Sequence, residues 1–432
     1  MKPILPTHAA LVCLAASLLA GLAINARADV ITDWNGKASD FVIEAKLGTP
    51  PAIRVMAIVQ TAVDSAVNTI AGRYPVPGAQ PEQGASVEAA VAAANRATLA
   101  RLLPAQQAAI DAAYRAALAQ IADGPGKTAG IAVGERAADA VFALRADDRP
   151  AAETYRPHTT AGVYVPTALP AVPQWPQRKP WLLASAAQFR PGPPPALTGD
   201  TWARDFDEVK TLGAKSSSLR STEQTEIARF WEYSLPPIYL GVVRSVAQTP
   251  GREVTQNARL FAAVLQAMDD AMIAVFDAKY HYNFWRPATA IRNADIDGHE
   301  ATQRDASWAS LIDAPLHPEY PGAHSILAGA VGAVLKAEIG NGPTPVLATA
   351  SPTARGALRR WAHPDDFTRE VGEARIYAGI HYRTSTDVGT AMGRRIGELA
   401  AAKLLATPHS IVGMASDGAA AASTPPRSVA SP

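Results

Sequence analysis

Apolar residues recur at helical spacing along most of the chain. Val55, Met56, Ile58, Val59, Ala62, Val63 and Val67 share one face of the stretch 51–72, which predicts an amphipathic helix. Residues 85–121 are rich in Ala, Leu and Arg, and Pro104 marks the start of a second helix within them. The pattern returns over 128–146, near 201–215 and 222–233, over 254–286 as one long helical stretch, and then over 325–338, 365–380 and 386–405. The period-two alternation of strands is nearly absent from the first half. These signals predict an all-α chain organised as a helical bundle, with no internal repeat.

Between Pro150 and Asp200 the pattern breaks, and 11 prolines fall in 51 residues. Proline fixes φ and lacks an amide donor, so neither a long helix nor a central strand is expected there. Trp175, Trp181 and Phe189 are interleaved with the prolines. Disordered linkers seldom carry aromatics so densely, which favours an ordered wrapping segment. At the other extreme, residues 407–432 are rich in Ala, Ser and Pro, the composition of a disordered tail.

The first 28 residues read as a secretory signal. Lys2 supplies the positive start, an apolar run extends from Ala9 to Ile24, and Ala26-Arg27-Ala28 forms a small-x-small cleavage site. A membrane anchor is the competing reading, but the run is short for spanning a bilayer. The expected division is a signal over 1–28, N-terminal helices plus the wrapping segment over 29–221, a helical bundle carrying the chemistry over 222–405, and a tail over 406–432. The mature protein is expected to be exported, periplasmic or extracellular, without membrane association.

Charge and cysteine usage narrow the chemistry. The 40 basic and 39 acidic residues nearly cancel, which gives no basic field for nucleic acid. The one cysteine, Cys13, lies inside the apolar run, and Val12 precedes it where a lipidation site wants a small residue. A mature chain would then carry no thiol, which excludes disulfides, zinc–thiolate sites, iron–sulfur clusters and cysteine nucleophiles.

Three segments gather the candidate chemistry. The first is Lys279-Tyr-His-Tyr-Asn-Phe-Trp-Arg286-Pro287. Helix positions seven apart differ by about 20° in azimuth, so Lys279 and Arg286 would point the same way and could converge on one anion. Pro287 disfavours helix at Arg286 and is expected to end it there. The second is His317-Pro-Glu-Tyr-Pro-Gly-Ala-His324, whose prolines and Gly322 predict a tight turn. A helix should begin close to His324 or Ser325, and its amides and positive end attract an oxyanion. The third is Ala374-Arg375-Ile-Tyr-Ala-Gly-Ile-His381-Tyr-Arg383. Helix positions six apart lie about 120° apart, so Arg375 and His381 converge only if the helix ends near Gly379. Singly, these segments also read as a solvated Lys–Arg face, a capping histidine and a helix end.

In this order the segments resemble the signature of the vanadium haloperoxidase and type 2 phosphatidic acid phosphatase superfamily: Lys-x6-Arg-Pro, then Pro-Ser-Gly-His, then Ser-Arg-x5-His-x3-Asp. The gaps, 33 residues between Pro287 and Pro321 and 49 between His324 and Ala374, match the family layout. Phe230-Trp231-Glu232-Tyr233 and Phe284-Trp285-Arg286-Pro287 are also similar to segments of the vanadium chloroperoxidases. The N-terminal half matches only as generic helices.

The resemblance implies a vanadate cofactor, with hydrogen peroxide, a halide and a small organic acceptor as partners. It implies that Lys279, Arg286 and Arg375 hold the equatorial oxygens, with Gly322 and Ala323 as further oxyanion contacts. His381 would be the axial ligand of vanadium and His324 the acid–base residue. Each close cation–oxyanion pair contributes roughly 4 kcal/mol at an effective dielectric of about 20, before desolvation. Phe276 and His317 would line the halide pocket. Phe276 stands where chloroperoxidases have a Trp, and His317 where bromoperoxidases have a His, which points to bromide or iodide.

The sequence also departs from the signature. Gly322 brings no hydroxyl where the motif has Ser, and Ala374 replaces the second Ser. Ser385 stands at the Asp position, and Asp387 is the nearest later acid. Ser234 stands where chloroperoxidases have an Asp that supports the Arg. These departures keep two alternatives in view: a secreted acid phosphatase acting through a phosphohistidine on His381, and a catalytically silent oxyanion-binding protein.

Overall fold

The computed structural model describes residues 29–148 and 155–406. The expected signal, with Cys13, and the tail from residue 407 lie outside the described residues. Helices dominate, as the periodicity predicts. Among the described residues, five precede the Pro-rich stretch: α1 (Val30–Glu44), α2 (Thr49–Ala71), α3 (Val87–Leu102), α4 (Gln107–Leu118) and α5 (Pro125–Leu144). α2 opens on Pro50 and Pro51, whose missing amides would have had no intrahelical partner, and closes at Gly72 with φ 68°. The hydrophobic pattern gave no warning of α1. Asp29 caps it and also accepts a hydrogen bond from Asn257 at 2.7 Å.

Beyond the Pro-rich stretch lie α6 (Asp200–Leu212), α7 (Thr222–Phe230), α8 (Pro236–Ala247), α9 (Val254–Tyr282), α10 (Pro287–Arg292), α11 (Ala323–Ile339), α12 (Pro364–Tyr377) and α13 (Arg383–Ala400). The periodicity did not separate α8 or α10, both of which open on proline. A small antiparallel hairpin, β1 (Leu347–Ser351) with β2 (Ala357–Trp361), pairs Leu347 with Trp361. Its Ala- and Arg-rich strands lack the β-branched run that makes a strand legible.

α9 is the axis of the bundle. Glu253 and Gln256 form a capping box at its start, and nearly every residue from Thr255 to Lys279 is buried. A helix apolar on all faces belongs inside the core, and α9 packs against both α2 and α11. α11 and α13 run parallel in backbone contact. A Cβ on Gly389, Gly393 or Gly397 would come within 2.6, 2.0 and 2.4 Å of the carbonyl oxygens of Gly322, Ile326 and Ala330. That matched order sets both helix N-termini at one end of the bundle. Among the described residues, no helix is long and apolar enough to cross a membrane.

The helical stretch expected to reach Arg286 stops earlier. α9 ends at Tyr282, and Asn283 turns into the left-handed region with φ 49° while its amide donates to the Lys279 carbonyl at 2.8 Å. The Pro-rich stretch is the physical reason. It runs over residues 155–199 as a strap, and there the Tyr164 amide donates to Asn283 O at 2.8 Å and the Trp285 amide to Gly162 O at 3.0 Å. Val163 and Phe284 thereby form an isolated β-bridge. Further along, the Ala171 amide donates to Leu316 O at 2.6 Å, and Tyr320 donates its hydroxyl proton to Gly192 O at 2.8 Å. The strap thus braces two of the three chemical segments from outside.

Candidate oxyanion site

Lys279 lies in the last turn of α9 with its side chain fully buried. Its Nζ donates to the carbonyls of Pro318 at 2.9 Å and Glu319 at 2.8 Å. Arg286 is the N-cap of α10, on extended backbone. Its Nε donates to His317 O at 3.0 Å, Nη1 to Ile380 O at 2.8 Å, and Nη2 to His317 Nδ1 at 3.0 Å. Lys279 and Arg286 do converge, but through the loop 317–319 and the strapped segment 284–286. Helical periodicity has no part in it, which corrects the sequence argument.

Arg375 comes from α12, where Nη1 donates to Trp231 O at 2.6 Å and Nε has no partner among the described residues. α12 ends at Tyr377, and Gly379 takes φ 78°. The chain turns there, as the expected helix end requires, and delivers His381 to Arg286: Nη1 lies 3.2 Å from His381 Nε2. α11 begins at Ala323 with Gly322 as N-cap, and no side chain caps it. His324 follows, and its Nε2 is shielded and without a partner among the described residues. Phe276 meets His317 edge to face, with ring centres 5.2 Å apart. All the residues singled out from the three segments therefore gather at one place.

The sequence reading missed Glu319. Its carboxylate lies fully buried beside His381, with Oε1 2.6 Å from Nδ1. The Tyr382 amide donates to the same oxygen at 3.1 Å, and Ser385 Oγ donates to Oε2 at 2.6 Å. Arginine can only donate, so its contact makes His381 Nε2 the acceptor and places the imidazole proton on Nδ1, toward Glu319. The carboxylate expected after His381 has thus moved into the preceding segment. Ser385 stands at the signature's acid position and donates a proton to it. Asp387 does not reach His381 and faces Arg383, Asp205, Glu373 and Glu208 instead. Ser234 does not support Arg375, since its hydroxyl lies 2.7 Å from Thr49 Oγ1. A carboxyl inside His-Pro-Glu-Tyr-Pro was the available signal.

Burial governs the electrostatics. It lowers Lys279 well below the ordinary lysine range, and the neighbouring Arg286 pushes the same way. Burial likewise brings Arg286 and Arg375 down to about 10. His317, His324 and His381 are held well below the usual histidine range, first by burial and then by the surrounding cations. They are neutral at physiological pH. Burial raises Glu319 to about 7, against the pull of Arg286 and Lys279. Lys279 and Arg286 thus flank the Glu319 carboxylate while Arg375 faces Arg286 and Glu232, so cations are in excess, and two helix N-termini add positive potential. A multiply charged anion would relieve that excess.

The fold is that of the vanadium haloperoxidases, and the resemblance read from the three segments is borne out. Residues 259–409 match the family model described as VCPO second helical-bundle domain. Among curated proteins, the chain is 26% identical over 261 residues to the vanadium chloroperoxidase of Curvularia inaequalis, covering 48% of this chain. The match spans 42% of that relative's length. Among solved structures, the first bacterial vanadium-dependent iodoperoxidase superposes with a TM-score of 0.75 at 24% identity, over 87% of this chain and 96% of that one. The holo form of a bacterial vanadium-dependent chloroperoxidase superposes with a TM-score of 0.67 at 18% identity, over 83% of this chain and 93% of that one.

Proposed function

We propose that this chain is a vanadate-dependent haloperoxidase that oxidises bromide or iodide with hydrogen peroxide. The supporting observation is the fixed tautomer of His381. Glu319 holds the Nδ1 proton, and the Nε2 lone pair is left beside Arg286. Vanadate fits the donor set. It is a tetrahedral oxyanion, and the site offers buried Lys279, Arg286 and Arg375 together with two polar atoms, His324 Nε2 and Arg375 Nε, that lack partners among the described residues.

Lys279, Arg286 and Arg375 would hold its oxygens, and His381 would ligate through Nε2. Bound vanadate supplies a Lewis acid that activates hydrogen peroxide without changing its own oxidation state. The residues of the chain do the rest. The arginines bind in a forked geometry and the lysine as a point charge. Glu319 keeps the lone pair of His381 in place. His324, neutral and at the start of α11, takes up and returns a proton at Nε2. Phe276 and His317, packed edge to face beside Arg286, would flank the halide.

The same lone pair on His381 would also attack phosphorus, so a phosphatase acting through a phosphohistidine is the second reading. Purified protein incubated with vanadate, hydrogen peroxide and bromide or iodide is expected to halogenate a phenolic dye. That activity should require vanadate and be suppressed by phosphate. Hydrolysis of p-nitrophenyl phosphate without any halide oxidation would establish the second reading in place of the first. We also propose export with cleavage before Asp29. N-terminal sequencing of secreted protein tests this, and a mature chain that still starts at Met1 contradicts it.

A further inference from the structure

We propose that Ser325 supplies the oxyanion-binding hydroxyl that the sequence lacks at position 322. The inference rests on the oxyanion site proposed above. Four serines are buried among the described residues: Ser39, Ser325, Ser351 and Ser385. Ser39 donates to Asn35 O at 2.8 Å, Ser351 to Phe230 O at 2.6 Å and Ser385 to Glu319 Oε2 at 2.6 Å. Ser325 is 0% exposed, and its Oγ has no hydrogen-bond partner among the described residues. A buried hydroxyl seldom stays unpaired, because it has given up water and gained nothing in return. Beside the proposed oxyanion site, such an atom fits a ligand that completes the bond.

Its position names the ligand. Ser325 stands in the first turn of α11, where the N-terminal amides have no side-chain cap. A Cβ built on Gly322 would lie 3.1 Å from Ser325 Oγ and 3.2 Å from the carbonyl oxygen of Ser385. The hydroxyl of Ser325 thus already stands beside the space into which a side chain at 322 would project. A serine at 322 would crowd it, so Gly322 and Ser325 act as a coupled pair. The same wedge contains the Gly322 amide, which donates to Ser385 O at 2.9 Å, and through Ser385 Oγ it reaches the Glu319–His381 pair. His324 Nε2, next along the chain, is likewise unpartnered among the described residues. The wedge is therefore lined by two helix N-termini and by two polar atoms without partners among the described residues, Ser325 Oγ and His324 Nε2, a setting that suits a phosphate-like oxyanion.

Calorimetric titration of the folded protein with orthovanadate, and separately with inorganic phosphate, tests the assignment. Ser325→Ala is expected to weaken binding of both anions by about 10-fold or more, the usual loss of a hydrogen bond to a charged group. Ser325→Thr, which keeps the hydroxyl, should bind like the wild type. The double variant Gly322→Ser with Ser325→Ala should regain affinity, because the hydroxyl returns from the neighbouring position. A thermal melt beside each titration establishes that the variant is folded. Should the alanine variant fail to fold, Ser325→Cys, close in shape but a poor donor, makes the same comparison. Wild-type affinity in folded Ser325→Ala or Ser325→Cys overturns the proposal. A wild-type protein that binds neither anion overturns the oxyanion site itself.

Discussion

Two clusters of buried charge share helix α9, and they are built on opposite terms. Mid-helix, Asp269 and Asp270 face the strap and α2. Arg54 Nη1 donates to Asp269 Oδ2 at 2.6 Å, and Arg54 also pairs with Asp148. Trp181 Nε1 donates to Asp269 at 2.7 Å, while Asp270 accepts the amides of Trp181, Leu182 and Leu183 at 2.7, 2.7 and 2.9 Å. Arg145 lies 3.5 Å from the centre of the Trp181 ring. Here each charged group meets an opposite charge or a set of amides. At the C-terminal end of the same helix, Lys279 and Arg286 flank the Glu319 carboxylate and Arg375 faces Arg286, so cations are in excess. Burial penalises both clusters alike. The balanced one closes the strap onto the core, and the unbalanced one is the proposed anion site.

Substitutions should pull the two clusters apart. Lys279→Met removes a buried cation from the unbalanced cluster. It is expected to weaken vanadate or phosphate binding by roughly 1000-fold, in line with about 4 kcal/mol of Coulomb energy. The melting temperature should fall less than in Asp269→Ala, because a cation leaves a cluster with cations in excess, although two carbonyls lose their donor. Titration and differential scanning calorimetry read the two effects separately. Unchanged affinity with a collapsed melting temperature would invert the comparison.

Asp269→Ala makes the opposite cut. It leaves Arg54 buried with Asp148 alone, and should destabilise the fold by about 3 kcal/mol in denaturant titrations. Oxyanion affinity in the remaining folded protein should be untouched. A folded variant with wild-type stability would remove the clasp from the comparison.

Glu319→Gln tests the positioning of His381 inside the unbalanced cluster. A loss of about 10- to 100-fold in vanadate affinity or halide oxidation is expected, the usual effect of removing an outer-shell partner. Adding Ser385→Asp, which restores a carboxylate at the signature position, should recover part of it. Full activity in Glu319→Gln alone would show that His381 needs no such partner.

The smallest effect concerns pH. Burial raises the Asp270 carboxyl from 3.8 to about 6. The folded state therefore binds this proton more tightly than the unfolded chain. The group's contribution to stability grows as pH falls from about 6 toward about 4 and is lost again on the way up. Urea midpoints at the two ends of that window should show a steeper acid-side gain in the wild type than in Asp270→Asn. Parallel profiles would mean that Asp270 titrates normally.

Sequence and structure agree best where a local pattern carries the information. Long helices such as α2 and α9 were legible because their apolar positions repeat at helical spacing. The end of α12 was legible because Gly379 tolerates a left-handed turn. The residues that gather at the candidate site were legible because their types and order form a signature. What escaped depends on partners distant in sequence. The stop of α9 at Tyr282 is set by the strap at Gly162 and Tyr164. The partner of His381 was sought four to six residues downstream, whereas Glu319 lies 62 residues upstream. α8 was hidden behind paired prolines, and the β1–β2 hairpin behind small and charged residues.

Crystals grown with orthovanadate test most directly whether five side chains from three separated segments hold one oxyanion. The prediction is density joined to His381 Nε2, with Lys279, Arg286 and Arg375 on its oxygens and His324 within hydrogen-bond reach. An anion bound elsewhere, or one that Lys279, Arg286, Arg375 and His381 leave untouched, would contradict it.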